Sequence, residues 1–109
     1  MGVDDVRRLA LALPEAEEYD HGGLPAFRVH GRRFATMLDD EGINLMLGEQ
    51  GIEAAVARWP DACRPVHFAG RLSSVRLAHG VAAPETVAEL VVEAWAVKAP
   101  KRLLDARRS

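Results

Sequence analysis

The residues best suited to chemistry in this chain are arginines near the bends of two predicted β-hairpins. Alternating apolar residues on either side of His30-Gly31-Arg32 predict the first hairpin, and the pattern around Gly70-Arg71 predicts the second. A guanidinium group donates two hydrogen bonds to one phosphate, so arginines grouped at hairpin tips suit phosphate binding. The sequence therefore predicts a nucleic-acid-binding surface with seven members: Arg28, Arg32, Arg33, Arg71, Arg76, Lys101 and Arg102.

A second interpretation of these cations is that charged turns and a charged C-terminal helix simply keep the protein soluble. The formal net charge is −2 at pH 7, which argues against a protein that holds nucleic acid by overall charge. The charges are unevenly distributed, because residues 1–63 hold 12 of the 16 acidic residues and residues 64–109 hold 8 of the 14 lysines and arginines. We therefore expect one acidic and one basic face. No helix-turn-helix pattern is present, so we do not expect sequence-specific base recognition.

The sequence contains few other residues that could form a metal site or a catalytic site. Cys63 and His67 form a pair, but a structural zinc site needs four converging ligands and a nucleophilic cysteine needs an oriented base. The sequence offers no catalytic triad and no phosphate loop. We therefore expect a protein that is not an enzyme and that carries no metal or cofactor.

The elements that position these residues follow from apolar periodicity. Helical spacing predicts helices over residues 3–13 and 49–58 and from Pro84 onward, with Pro100 interrupting the last helix before a basic tail at 101–108. Strict alternation predicts strands at 26–29, 33–38, 43–47, 65–69 and 74–78. Residues 15–21 are predicted to be an acidic connection.

The order α-β-β-β-α-β-β-α predicts an α+β fold, with an antiparallel sheet of about five strands and helices packed on one face. The other face of the sheet is expected to carry Arg28, Met46 and Arg76. The length suits a single domain over residues 1–109. One cysteine, no leader-like segment and no apolar run of about 20 residues predict a cytoplasmic protein without membrane contact, either a monomer or a homodimer.

Several motifs, taken with this order of elements, resemble the MmcQ/YjbR family over nearly the whole chain. These are Leu13-Pro14-Glu15, the run from His21 to Val29, Gly31-Arg32-Arg33-Phe34-Ala35, and the run from Lys98 to Leu103. The resemblance implies a CyaY-like fold and a proposed double-wing DNA-binding module of small bacterial proteins, in which two β-hairpins act as wings. It places the wings at Gly31-Arg32-Arg33 and at Ala69-Gly70-Arg71-Leu72. Many relatives carry a tryptophan after the second tip, where this chain has Leu72 or Ser73.

Two other classes of function stay open. The family name comes from an antibiotic biosynthetic cluster, which suggests a small-molecule-binding or self-resistance module with a pocket between sheet and helices, walled by Trp59 or Trp95. A protein-interaction adaptor would instead expose an apolar patch. Frataxin-type proteins share the broad fold and bind iron on an acidic ridge, so Asp4, Asp5 and the acids of residues 15–20 are candidates by fold analogy, although solvated acids are the favoured interpretation.

Overall fold

The computed structural model describes residues 1–37 and 39–108. Its elements in chain order are α1 (Val3–Leu11), β1 (Ala16–His21), β2 (Leu24–Val29), β3 (Arg32–Met37), β4 (Gly42–Leu45), α2 (Glu49–Arg58), β5 (Cys63–Phe68), β6 (Arg71–Ala78), α3 (Pro84–Lys98) and α4 (Lys101–Arg108). Leu38, which the sequence analysis placed at the end of the second predicted strand, lies outside the described residues. None of the described helices is both long and apolar enough to cross a membrane.

The strands form one sheet of six strands in the order β1-β2-β3-β4-β6-β5, and every neighbouring pair is antiparallel. The α+β class and the antiparallel sheet are confirmed, and the sheet has six strands where about five were predicted. The additional strand is β1, which was predicted to be a connection because its residues are almost all polar. It lies at the edge of the sheet, where charged residues are common because they discourage pairing with another chain.

The core lies between the sheet and the helices. Phe27 and Val29 of β2 and Val75 and Leu77 of β6 are fully buried, because alternate residues of a strand point to the same face. Helix α3 packs across β2, β3 and β4, while α2 covers β5 and β6. Trp95 of α3 is fully buried in this layer. The helices therefore leave the second face of the sheet uncovered.

The uncovered face, here called the open face, carries the residues that alternate with the core. Arg28, Met46 and Arg76 are half-buried there, as the alternation predicted. Pro100 separates α3 from α4, also as predicted, because a proline at this position cannot donate the next helical hydrogen bond. Leu103 of α4 returns to the core, so the basic tail is docked against the domain.

Candidate nucleic-acid interface

Two β-hairpins of the sheet share the same turn geometry. The first, between β2 and β3, turns at His30 (φ 54°) and Gly31 (φ 74°). The second, between β5 and β6, turns at Ala69 (φ 53°) and Gly70 (φ 78°). Positive φ at both central residues is the mark of a type I′ turn, which matches the twist of the flanking strands. The first turn begins at His30, as predicted from the sequence, and the second begins at Ala69, one residue before the predicted Gly70-Arg71.

The two hairpin tips lie at the same end of the sheet. Because every neighbouring pair in the order β2-β3-β4-β6-β5 is antiparallel, β2 and β5 run in the same direction and turn at the same edge. The centres of the two hairpins are three strand spacings apart, or about 14 Å. This edge, called here the hairpin end, therefore carries both hairpin tips.

Acidic partners neutralise three of the seven predicted cations. Arg28 Nε donates to Glu17 Oε1 at 2.6 Å, and its guanidinium lies 4.4 Å from the centre of the Tyr19 ring. Arg102 binds both carboxylate oxygens of Glu15, at 2.8 and 2.9 Å. The hydrogen bonds and charge of Arg102 lower the pKa of the Glu15 carboxyl below its ordinary value. Both acids belong to the run that was predicted to be a connection, so this run lies against the first hairpin and cancels part of its charge.

Arg76 is the third neutralised cation, and it lies away from the hairpin end. Its Nη2 is 2.9 Å from Asp39 Oδ2, and it pairs across the sheet with Asn44. Backbone hydrogen bonds from Glu41 and the hydrogen bond from Arg76 lower the pKa of Asp39. The guanidinium occupies the space where any side chain at Gly42 would begin. Arg76 therefore stabilises the turn between β3 and β4, at the end of the sheet opposite the hairpin end.

Arg32 has a structural contact of a different kind. Its Nη1 donates to the main-chain oxygen of Lys98 at 3.3 Å. Lys98 is the last residue of α3, where carbonyl groups have no partner within the helix, so an arginine there satisfies one of them and complements the helix dipole. Arg32 therefore ties the first hairpin to the C-terminal end of α3.

Three of the predicted cations have no such partner. Within residues 1–37 and 39–108, the side chains of Arg33, Arg71 and Lys101 make no hydrogen bond or ion pair. Arg33 is half-buried beside the first tip, whereas Arg71 is exposed at the second. Lys101 begins α4 next to Arg102, whose Nη2 lies 2.9 Å from His30 Nε2 of the first tip. The structure thus brings the unpaired cations to both hairpins.

Phe68 is a residue that the sequence analysis missed. It pairs directly with Arg71 across the second turn, and it is 76% exposed. An exposed aromatic ring beside a cation is the combination on which unpaired nucleobases stack. The resemblance pointed to an aromatic residue after the tip of this wing, whereas the alternation of Val66 and Phe68 before the tip was the available signal.

The alternative pocket between sheet and helices corresponds to an apolar groove of about 340 Å³ between α2 and the second hairpin, with Ile52, Val56 and Leu72 in its walls. Neither tryptophan lines it. Trp95 Nε1 donates to the carbonyl oxygen of Pro14 at 3.0 Å in the core, and Trp59 stacks under the Arg58 guanidinium at 4.4 Å.

The candidate metal and nucleophile residues are not assembled into a site. Cys63 is buried, and the loss of water around it raises the pKa of its thiol. His67 is exposed on the same strand. Among the residues that the structure describes, no three histidine, cysteine or acidic side chains lie close enough together to hold a metal ion.

Comparisons with known proteins agree with this architecture. No curated protein matches the chain. The crystal structure of the Deinococcus radiodurans protein DR2400, which carries a DUF419 domain, is similar with a TM-score of 0.70 at 20% identity, over 84% of this chain and 74% of that one. At this identity the likeness shows the fold alone. The YjbR family profile matches residues 11–97, which is most of the sequence. The chain therefore belongs to the YjbR family.

Proposed function

We propose that this protein binds DNA weakly and with little sequence preference, through phosphate contacts at the tips of its two β-hairpins. The observation that carries the proposal is the placement of Arg33 and Arg71, each without an ion-pair partner among the described residues, beside two type I′ turns at one end of the sheet. The role is that of a binding protein in the cytoplasm, without catalysis.

The strength of this binding follows from the number of free cations. Each phosphate contact contributes about 0.9 to the slope of log affinity against log salt concentration on duplex DNA. Arg33, Arg71 and Lys101 together give a slope of roughly −3, which is small compared with dedicated DNA-binding proteins. The negative net charge and the acids of β1 also weaken binding, because they repel the phosphates of DNA. Binding is therefore expected at low salt and is lost as salt rises.

Fluorescence anisotropy with labelled duplex and single-stranded DNA tests the proposal. We expect binding at low ionic strength that weakens steadily with added salt. The double variant Arg33→Gln/Arg71→Gln should bind more weakly and reduce the salt slope by about 2, because two contacts are removed. The matched control is Arg8→Gln/Arg58→Gln, which has the same net charge but alters α1 and α2 on the helical side of the sheet.

The control variant separates local contacts from overall charge. If both double variants lose affinity equally, the effect comes from net charge, and the hairpin tips are not the contact surface. Absence of binding to either DNA at low salt overturns the proposal altogether.

A further inference from the structure

A recess lies on the open face of the sheet between the two hairpins. Its volume is about 380 Å³, which is at the small end of the range for ligand pockets. Thr36 of β3, Asn44 of β4 and Ser74 of β6 are the central polar residues of its lining. Arg33 and Phe68 contribute to it from the first and second hairpins. The recess thus joins the two surfaces that carry the proposed function.

The centre of the recess holds buried polar atoms whose hydrogen bonding is incomplete. Thr36 is only 4% exposed and Ser74 only 2% exposed. Thr36 and Asn44 are direct cross-strand neighbours, and within the described part of the chain neither Thr36 Oγ1 nor Asn44 Oδ1 has a hydrogen-bond partner. Buried polar atoms are almost always paired, so two adjacent unpaired oxygens indicate a place where a ligand's polar edge completes the bonding.

The remaining lining restricts the charge and shape of such a ligand. Among the described residues, no carboxylate lines the recess, and Arg33 is the only permanently charged residue that does. A cationic ligand is therefore disfavoured, whereas a negative group beside Arg33 is favoured. Leu24, Met46 and Val66 supply apolar walls, and Phe68 presents an exposed ring. A flat heterocycle with a polar edge and an attached phosphate matches these features.

We infer that the recess binds one nucleobase, whose ring stacks on Phe68 while its polar edge contacts Thr36 and Asn44. Arg33 then contacts the adjoining phosphate. Asn44 Oδ1 accepts a hydrogen bond, and the Thr36 hydroxyl both donates and accepts, so any base with a neighbouring donor and acceptor is accommodated. Met46 lines the same recess, and rotation of its flexible side chain would make room for the base beside these buried atoms.

This inference rests on the proposed function and sharpens its substrate class. A base in a duplex uses its polar edge for Watson–Crick pairing, so only an unpaired base can enter the recess. The protein should therefore prefer single strands over duplex DNA of the same length. A base within a strand and the base of a free nucleotide share this chemistry, and the experiments below distinguish them.

The test compares three labelled DNAs of equal length: an oligothymidine strand, an abasic strand and a duplex. The abasic strand keeps the phosphates and lacks the bases. We expect the oligothymidine strand to bind about tenfold more tightly than the abasic strand, because stacking of one base on an aromatic ring has that magnitude. Thr36→Val and Phe68→Ala should each remove most of the difference and leave binding of the abasic strand unchanged.

Matched controls distinguish loss of the site from general damage. Thr86→Val changes the other threonine of the chain, at the start of α3, and Val81→Ala shortens an exposed apolar residue outside the recess. Both controls should keep the tenfold preference. Thr36→Val should fold normally, because the hydroxyl that it removes makes no hydrogen bond within the described residues.

The outcomes separate this inference from the proposed function. Equal binding of oligothymidine and abasic strands overturns the base site and leaves phosphate binding intact. If neither strand binds, the proposed function fails, and NMR titration with thymidine monophosphate tests the recess by itself. Shifts at the amides of Thr36, Asn44 and Ser74 then identify a free nucleotide as the occupant, and shifts confined to other regions overturn the site.

Discussion

The two hairpins have the same turn and the same position at the hairpin end, yet they hold their charges differently. In the first, Arg28 and Arg32 are engaged by Glu17 and by the end of α3. In the second, Arg71 and Phe68 project without such partners among the described residues. Most arginines of the first hairpin thus make contacts within the protein, whereas the one arginine at the second tip is available to contact a ligand. The number of arginines in a hairpin is therefore a poor measure of its binding capacity.

The cause of this difference is the edge strand next to each hairpin. The first hairpin is flanked by β1, whose Glu17 pairs with Arg28, and Glu15 just before β1 pairs with Arg102 of α4. The second hairpin is itself the opposite edge of the sheet, since within the described part of the chain β5 has only β6 as a neighbour in the strand order. Glu17 of β1 thus neutralises Arg28 of the first hairpin, whereas among the described residues no strand flanks the outer side of the second hairpin.

The largest expected effect comes from removing the acids that distinguish the hairpins. The double variant Glu15→Gln/Glu17→Gln frees Arg102 and Arg28, so the first hairpin should come to resemble the second. We expect tighter DNA binding and a salt slope that is steeper by about 2, measured by fluorescence anisotropy over a salt series. The charge-matched control is Glu49→Gln/Glu53→Gln on α2. An equal gain in the control would show that overall repulsion alone, and not the pairing in β1, weakens binding.

A smaller effect is expected from single arginine changes in the two hairpins. Arg71→Gln should weaken DNA binding and make the salt slope shallower by about 1, because one free phosphate contact is lost. Arg28→Gln removes a cation that already has Glu17 as a partner, so its effect on the slope should be near zero. The same anisotropy series measures both. A larger loss of DNA affinity in Arg28→Gln than in Arg71→Gln would show that the first hairpin, and not the second, supplies the available arginine.

The ion pair between Glu15 and Arg102 predicts how stability depends on pH. Because Arg102 lowers the pKa of Glu15, the pair contributes stability above the ordinary glutamate value of 4.5 and loses it as pH falls through the lower, folded value. NMR titration of the Glu15 side-chain carboxyl should give a midpoint below 4.5. In Arg102→Gln the midpoint should return toward the ordinary value. An unchanged midpoint in that variant would show that another group causes the shift.

The parts of the fold that follow local rules could be predicted from the sequence. The alternation of Val75 and Leu77 identified a core-facing strand, and Pro100 identified the break between α3 and α4. β1 was missed because Glu17, Glu18 and Asp20 give it no apolar face, so its strand conformation comes from pairing with β2. Alternation of apolar and polar residues identifies a strand that has one buried face, and an exposed edge strand lacks such a face.

The sequence predicted the two hairpins and the cations of the candidate site. It did not predict which of these cations form ion pairs within the protein. Arg28 and Glu17 are 11 residues apart, Arg76 and Asp39 are 37 apart, and Arg102 and Glu15 are 87 apart. Helical and strand periodicities relate residues a few positions apart, so spacing carries no information about such pairs. The sequence indicated which residues are cations, but only the folded arrangement distinguishes those that are neutralised from those that are available.

The smallest expected effect concerns the turns that the two hairpins share. Ala69 holds a left-handed conformation that disfavours any residue with a Cβ, so Ala69→Gly should raise the free energy of unfolding by about 1 kcal/mol. His30→Gly relieves the same strain but loses the contact with Arg102, so its gain should be smaller. Urea denaturation measures both. Equal gains would mean that the Arg102 contact does not hold the first tip, and that the two hairpins differ in charge pairing alone.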